Sequence, residues 1–488
     1  MSLRQGVLWS FLQGTGGRVL QFATGIVMAR LLVPEDFGLI ATVQVFTGIA
    51  GLISGGGIMQ ALVRQKTCTA ADLNTGFSVQ LLFATALFLL FYLLVAPLAS
   101  DWLADPRYLD LIQVSALGFF VRPFWNSAST RLQRDMRFRV LAINSLWSLV
   151  VGSAVSITLA LAGFGVWSLV IGGLAGSTTN SLLNGIAARW MPRPAMNLDS
   201  LRGFYRAGSG FAFINILYHF SDKGVTLAIS KMMGPAPVGI FNKGQSLAVM
   251  PTDLASASLN KPLFRAMAKE RDNRAAIHYL FTRAVVFMAA LTWPILALLA
   301  WYSEVLIVFL YGEHWRAAGQ VLQIIALASL FRAFGQPSST LLISGSGMRA
   351  FIWILSAGAL LLIGAAVYLA EYGLYVVAAG IASIQATQFL ILLGKAVRHH
   401  AIPLAPVLSG IVAPLLGLVG MLATLALLGL PASPLYLAGW IGMLAQLCAA
   451  SLAYAAILWF TPRSLARSEL QRLLPLLGIK PRQGPGDA

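Results

Sequence analysis

The chain has 488 residues, 58% of them hydrophobic and 10% charged, and its 46 glycines bring the apolar-plus-glycine share to about two thirds. So little polar surface cannot cover a water-soluble globule, whose charged share is roughly a quarter, and long apolar runs with only two cysteines fit neither a disordered chain nor a disulfide scaffold. What remains is a membrane protein that still carries a net charge of +17.

Stretches of about 20 apolar residues, enough to cross a hydrocarbon core of roughly 30 Å, recur along the chain. In order they run Gly6 to Leu31, Phe37 to Val63, Phe77 to Leu98, Leu109 to Thr130, Val140 to Leu161, Val166 to Ala188, Gly208 to Ser230, Val238 to Leu259, Leu280 to Trp301, Ala318 to Ile343, Phe351 to Ala370, Leu374 to Gly394, Leu404 to Leu428 and Leu435 to Phe460. The expected fold class is therefore an all-α polytopic membrane protein with about fourteen transmembrane helices. Arg122-Pro123, Asp253 and Arg332 interrupt spans four, eight and ten. The first span is too long for a signal peptide and lacks a small-residue cleavage site, so it reads as a retained helix.

With fourteen spans both ends fall on one side, and the Lys/Arg tally of the loops selects it. With the span-end residues Arg30, Asp110 and Arg283 counted in the adjoining loops, the termini and the loops on their side hold 25 basic and 7 acidic residues, the opposite loops 4 and 8, and the spans 5 and 2. Both termini are expected in the cytoplasm. Most of the +17 is then orientation signal and inner-leaflet contact rather than a nucleic-acid footprint.

The sequence also repeats. Arg30-Leu-Leu-Val-Pro34-Glu-Asp-Phe-Gly38-Leu matches Lys231-Met-Met-Gly-Pro235-Ala-Pro-Val-Gly239-Ile at an offset of 201, and Phe164 to Gly172 matches Tyr372 to Gly380 at 208. Two matches at nearly one offset point to duplicated six-helix halves, although Pro-Gly loop ends also converge in unrelated helical hairpins. The resulting division is an N-terminal lobe over 1–189, a cytoplasmic linker over 190–207, a second lobe over 208–400, an extra helix pair over 401–461 and a cytoplasmic tail over 462–488. The tail has an amphipathic stretch at Leu465 to Leu477 followed by a disordered end. Since both halves start in the cytoplasm, the pseudo-twofold axis runs along the membrane normal, and two bundles would face each other across a central cavity.

Charges near the bilayer centre cost about 2.5–3.5 kcal/mol on insertion scales, so they mark partners, cavities or pathways. The candidates are Arg18 in span one, Arg122 in span four, His219, Asp222 and Lys223 in span seven, Lys243 and Asp253 in span eight and Arg332 in span ten. Arg18 falls on His219 under the repeat. Basic residues outnumber acids five to two within the spans, and guanidinium and ammonium groups suit phosphate. Arg18, Arg122, His219, Lys223, Lys243 and Arg332 are therefore candidate substrate-binding residues, and Asp222 and Asp253 candidate ion-coupling residues. A structural role stays open for each: Asp222 paired with Lys223 or Lys243, Arg122-Pro123 as a kink, Arg332 snorkelling.

Glycines at close spacing, Gly14, Gly16 and Gly17, Gly48, Gly51 and Gly55, Gly172 and Gly176, read as helix-packing positions. No catalytic or metal-ligating constellation is evident: His278, His314, His399 and His400 lie at loops and helix ends, and Cys68 and Cys448 fall at different depths.

The run Ala29 to Leu39, then Val45-Phe46 and Gln60-Ala-Leu-Val-Arg64-Gln, resembles the opening of the bacterial polysaccharide flippases, the O-antigen, colanic-acid and teichuronic-acid type transporters of the multidrug/oligosaccharidyl-lipid/polysaccharide exporter superfamily. Leu132 to Phe138, Gly163 to Trp167, Asp222, Gly234 to Gly239 and Trp315 extend the resemblance over about residues 1–400. Departures are Lys223-Gly224, where members usually carry a polar, often Asn-containing stretch, and the paired Pro235 and Pro237. The resemblance implies a polyprenyl-diphosphate-linked oligosaccharide carried to the outer leaflet by alternating access, with spans one, two, seven and eight lining a cationic cavity. It implies no enzyme activity and no cofactor beyond proton or sodium coupling or the membrane potential. Expected partners are the lipid-linked glycan, membrane lipids and glycan polymerase machinery, for a monomeric protein with no nucleic-acid role. The alternatives are a peptidoglycan-precursor flippase, a cation-coupled drug exporter of the same superfamily and a membrane polysaccharide polymerase or ligase.

Overall fold

The computed structural model describes residues 3–55, 62, 69–189, 193, 195, 219, 223–270, 272–345, 347–429 and 437–461. The helices follow the apolar runs: α1 (Leu3–Leu31), α2 (Pro34–Gly55), α3 (Ala70–Leu90), which continues through a π turn at Phe91–Val95 into α4 (Ala96–Leu103), then α5 (Arg107–Ala116), α6 (Gly118–Arg134), α7 (Phe138–Leu161) and α8 (Trp167–Ala188). A helical segment at 223–233 precedes α9 (Pro235–Lys269), α10 (Arg274–Trp301), α11 (Ser303–Tyr311), α12 (Ala317–Ser329), α13 (Arg332–Ser344), α14 (Met348–Tyr368), α15 (Leu374–His400), α16 (Leu404–Leu428) and α17 (Leu437–Phe460). No strand occurs among the described residues. Seven helices among them are long and apolar enough to cross a membrane, and the bent pair α12–α13 makes an eighth. Large apolar side chains stand on the outside, with Leu427 88%, Phe460 79% and Trp353 76% exposed, as hydrocarbon solvent allows and water does not. The chain is an all-α, multi-pass membrane protein. Most of the linker 190–207, most of span seven with Asp222, and the tail 462–488 lie outside the described residues.

Two expected single helices are broken. Span four divides at Leu117 into α5 and α6, and span ten divides at Leu330-Phe331 into α12 and α13 with a bend of 52°. At both breaks the backbone tightens from i−4 to i−3 hydrogen bonds, as from Phe120 to Leu117 (3.2 Å) and from Phe334 to Phe331 (3.1 Å). The physical reason lies a turn or more downstream: Pro123 and Pro337 have no N–H to donate, and their rings crowd the preceding turn. The Leu330 carbonyl accepts from the Ala333 N–H at 3.4 Å and from the indole of Trp293 on α10 at 2.9 Å. The kink expected at Arg122-Pro123 is thus displaced to Leu117, and Pro123 itself is buried within α6.

The helices gather into two compact units. One comprises Met1–Asn242 with Leu310–Trp315 and Ala366–Glu371, and the other Lys243–Phe309, Arg316–Ala365 and Tyr372–Ala488. In the first, Leu39 and Val43 of α2 pack with Leu111, Ile112 and Phe119. Local signals fix the helix ends, notably the capping box before α3, where Asp72 N–H donates to Thr69 Oγ1 (3.2 Å) and Thr69 N–H to Asp72 Oδ2 (2.8 Å). In the second, α10 is the hub: 56% of its most apolar stretch is buried, against 22% for α7 in the first unit. Phe281, Val285 and Met288 fill that core, and Tyr454 of α17 donates to the Ala290 carbonyl at 2.9 Å.

Within the first unit the two copies of the Pro-Gly motif meet. A Cβ placed on Gly38 would overlap the carbonyl of Pro235, and one placed on Gly239 would overlap the carbonyl of Pro34. Since 34 and 38 correspond to 235 and 239 at the repeat offset, each copy contacts its counterpart in the same way, as self-complementary contacts about a twofold axis do. Convergent loop ends would not produce that reciprocity.

Candidate functional site

The motif residues of the first unit cluster beside this crossing. The fully buried Trp315 donates from its indole to the Ala29 carbonyl at 2.8 Å and stacks edge-on against Phe37, centroids 5.2 Å apart. Arg107 bridges Glu35 (2.7 Å) and Asp105 (2.8 Å), and its hydrogen bond holds the Asp105 carboxyl below the usual carboxylate range. Beneath them the Tyr108 hydroxyl, the Ser230 hydroxyl and Thr42 form a buried chain with 3.0 Å links. The sequence motif therefore builds a packed corner, not a ligand site.

A cavity of about 410 Å³ lies among α1, α6, α7 and α8. Helix packing explains it: Gly152 of α7 faces Gly172 and Gly176 of α8 so closely that an added Cβ would come within 3.0 Å of the Gly172 carbonyl and 3.1 Å of the Gly176 Cα. Glycines at these positions let the two backbones approach, and the serines and asparagines interleaved with them are left to line the space. Ser148 donates to the Ser145 carbonyl (2.7 Å) and accepts from Asn180 (3.0 Å), while Thr24 of α1 donates to Ser153 (2.8 Å). Arg122 of α6 is the one charged residue lining the cavity, and among the described residues no hydrogen bond or ion pair reaches it.

The other candidate residues fall elsewhere. Arg18 is exposed on α1, one turn before the cavity residue Gln21 on the same ridge of the helix. His219 Nε2 lies 3.0 Å from the Val45 carbonyl, and its ring occupies the space that a side chain at Gly48 would need, so it pins the chain to α2. Lys223 is half-buried in the first unit, and Lys243 is half-buried at the start of the second. In the second unit Arg332, at the start of α13, pairs with Asp253 of α9 at 2.8 Å and lies over the Phe389 ring at 5.9 Å. The structure thus joins a candidate substrate residue to a candidate coupling residue. Asp222 lies outside the described residues.

A search of the sequence for charges passes over the uncharged wall of the cavity. Its signal was present: Ser145, Ser148, Ser153 and Ser156 recur at helical spacing in span five, and Ser177 and Asn180 follow in span six.

The signature of the family described as "Polysaccharide biosynthesis protein" matches residues 27–320, more than half of the chain. The chain belongs to that family. Among its relatives, the succinoglycan biosynthesis transport protein ExoT of Rhizobium meliloti (strain 1021) is 28% identical over 365 residues, 72% of each chain. The lipopolysaccharide biosynthesis protein WzxC of Escherichia coli (strain K12) is 24% identical over 354 residues, 70% of this chain and 71% of the other. The fold is similar to that of the lipid II flippase MurJ in an inward closed conformation, with a TM-score of 0.76 and 15% identity over 94% of this chain and 99% of that one.

Proposed function

We propose that this family member is a flippase that moves a polyprenyl-diphosphate-linked oligosaccharide from the cytoplasmic to the outer leaflet of the bacterial inner membrane, both of its own termini being cytoplasmic. The observation that carries the reading is the family membership, with one relative named for succinoglycan biosynthesis transport and another for lipopolysaccharide biosynthesis, each along 70% or more of the chain. The likeness in fold to a lipid flippase over nearly the whole length is consistent with it.

In this reading Arg18, Lys223 and Lys243 attract the diphosphate, whose charge demands cationic partners in a low-dielectric setting. The sugars enter an aqueous cavity and the polyprenyl tail stays in the bilayer. An interior-negative potential is worth about 2.3 kcal/mol per charge per 100 mV. It drives the anion outward and draws the emptied cationic cavity back. Arg332 and Asp253, already paired, act structurally, and coupling to proton or sodium is assigned to Asp222 alone. The chain works as a monomer and hands its product to glycan polymerase machinery.

The test is reconstitution in liposomes with a polyprenyl-diphosphate oligosaccharide bearing a fluorescent sugar, whose outer-leaflet fraction is read by an impermeant quencher. The wild type should equilibrate the two leaflets faster than empty liposomes, and the double variant Arg18→Ala with Lys223→Ala should slow this several-fold at equal protein level. No acceleration by the wild type refutes transport. An undiminished rate in the double variant refutes the cationic mechanism.

A further inference from the structure

One helix pair is built differently in the two halves. In the first, Gly152, Gly172 and Gly176 let the backbones of α7 and α8 approach. At the 208-residue repeat offset Gly152 and Gly176 fall on Leu360 and Ile384, whose side chains need room, so the counterpart helices α14 and α15 cannot close in the same way. A groove of about 520 Å³ runs between them instead. The Gln388 amide spans it, donating to the Ile354 carbonyl at 3.2 Å and occupying the space that a Cβ at Gly358 would need.

The walls describe the occupant. Trp353, Leu361 and Ile391 are exposed, so the groove opens on the lipid-facing surface of the second unit. Ser383 and Thr387 donate to the Ala379 and Ser383 carbonyls of their own helix, each at 2.8 Å, and the lining therefore presents hydrocarbon rather than groups for a sugar to pair with. Each wall, Trp353 to Leu361 and Ser383 to Ile391, is about 12 Å of helix long, which suits part of an acyl chain. One turn past the same end of each wall stands a cation: Arg349 precedes Trp353 by four residues, and Lys395 follows Ile391 by four, on the same helix ridges. Both are exposed, neither α14 nor α15 contains an acidic residue, and among the described residues no hydrogen bond or ion pair engages either cation. In the proposed orientation this end faces the cytoplasm, whose leaflet carries the anionic lipids, and the Trp353 indole just inside it sits where aromatic rings meet headgroups.

We propose that this groove binds an anionic phospholipid of the cytoplasmic leaflet, with an acyl chain between α14 and α15 and the phosphate between Arg349 and Lys395. The choice of leaflet rests on the orientation in the transport reading, whereas the groove and its two cations stand apart from it. A lipid-linked glycan fits less well, because the lining offers its sugars nothing and the groove lies on the outer face of one unit.

The test uses the full-length protein in detergent micelles, with bound lipid counted by native mass spectrometry. The probes are phosphatidylglycerol, phosphatidylcholine with the same acyl chains, and a polyprenyl phosphate. The wild type should bind phosphatidylglycerol about tenfold more tightly than phosphatidylcholine, the scale of one to two cations at an anionic headgroup. Arg349→Gln with Lys395→Gln should abolish that preference, and Ala357→Phe, which fills the groove, should weaken both phospholipids several-fold. Equal binding of the two phospholipids by the wild type overturns the proposal, as does a preference that survives the double variant. The same loss from Lys261→Gln with Arg265→Gln, two exposed cations of α9, would show diffuse attraction and overturn it too. If polyprenyl phosphate displaces phosphatidylglycerol at equal or lower concentration, the groove takes the transported lipid and the phospholipid assignment fails. Should the double variant fail to fold, Ala357→Phe decides alone, since unchanged phospholipid binding by it refutes the groove. A wild type that binds phosphatidylglycerol but flips no lipid-linked glycan in liposomes refutes the transport reading alone, whereas one that flips it without phospholipid preference refutes the site alone.

Discussion

The reciprocal crossing of Gly38 and Gly239 allows a quantitative prediction. Alanine at either position places a Cβ against a backbone carbonyl, that of Pro235 or of Pro34, and neither is the movable end of a flexible side chain. The helices must therefore move apart, and overpacking of this kind costs roughly 1–3 kcal/mol. The separation that accommodates one Cβ also opens space for the other, because both overlaps lie on one crossing. Gly38→Ala and Gly239→Ala should each destabilise by about 2 kcal/mol, and the double variant should cost less than the sum by at least about 0.5 kcal/mol. The measurement is a double-mutant cycle on denaturant unfolding in detergent, followed by tryptophan fluorescence, since Trp315 lies beside the crossing. Additive costs would refute the shared-separation argument, and two costless single variants would refute the crossing.

Trp293→Phe keeps the ring and removes the indole donor to the Leu330 carbonyl, so it should destabilise the second unit by roughly 1–2 kcal/mol, read as a lower unfolding midpoint; an unchanged midpoint would show that the break needs no such partner. Asp253→Asn removes the carboxylate paired with Arg332, whose side chain is only 17% exposed, so the cost should be roughly 3 kcal/mol, as for breaking a buried pair. Adding Arg332→Gln should recover most of it, whereas loss of transport in Asp253→Asn with stability unchanged would return Asp253 to a coupling role. Arg107 lowers the Asp105 pKa, so this contribution to stability is fully present above the unfolded carboxylate value and is lost as pH falls through the depressed folded one. Arg107→Gln should therefore be less destabilised than wild type between pH 5 and pH 3, in a thermal scan, because its Asp105 no longer has a favoured charged form to lose; equal acid sensitivity would contradict the assignment.

Much of the fold was legible because a membrane span declares itself by length and apolarity: Leu404 to Leu428 is helical over those residues, and Val166 to Ala188 differs from α8 by one residue. The breaks at Leu117 and Leu330 were less visible, since proline acts at a distance and the deformation is taken up by the preceding turns. The repeat was legible through Pro34-Gly38 and Pro235-Gly239 because the backbone contact leaves room for little else. The candidate site was harder to read. Charge alone identified Arg122, but equally His219, which binds a carbonyl of α2, and Arg332, which binds Asp253. Hydropathy does not distinguish a guanidinium facing a cavity from one facing a carboxylate. The serines that surround Arg122 register only as weak interruptions of an apolar helix, although their spacing places them on one side.

The Gly38–Gly239 crossing has one more consequence, and it concerns ancestry. Elsewhere a duplicated half is free to drift, since its substitutions are judged against neighbours that have no counterpart in the other copy. Here each copy is the other's mould: a larger residue accepted in one is tolerated only if its twin yields. The two segments are thereby held to a common history, and they are where the duplication should stay recognisable longest.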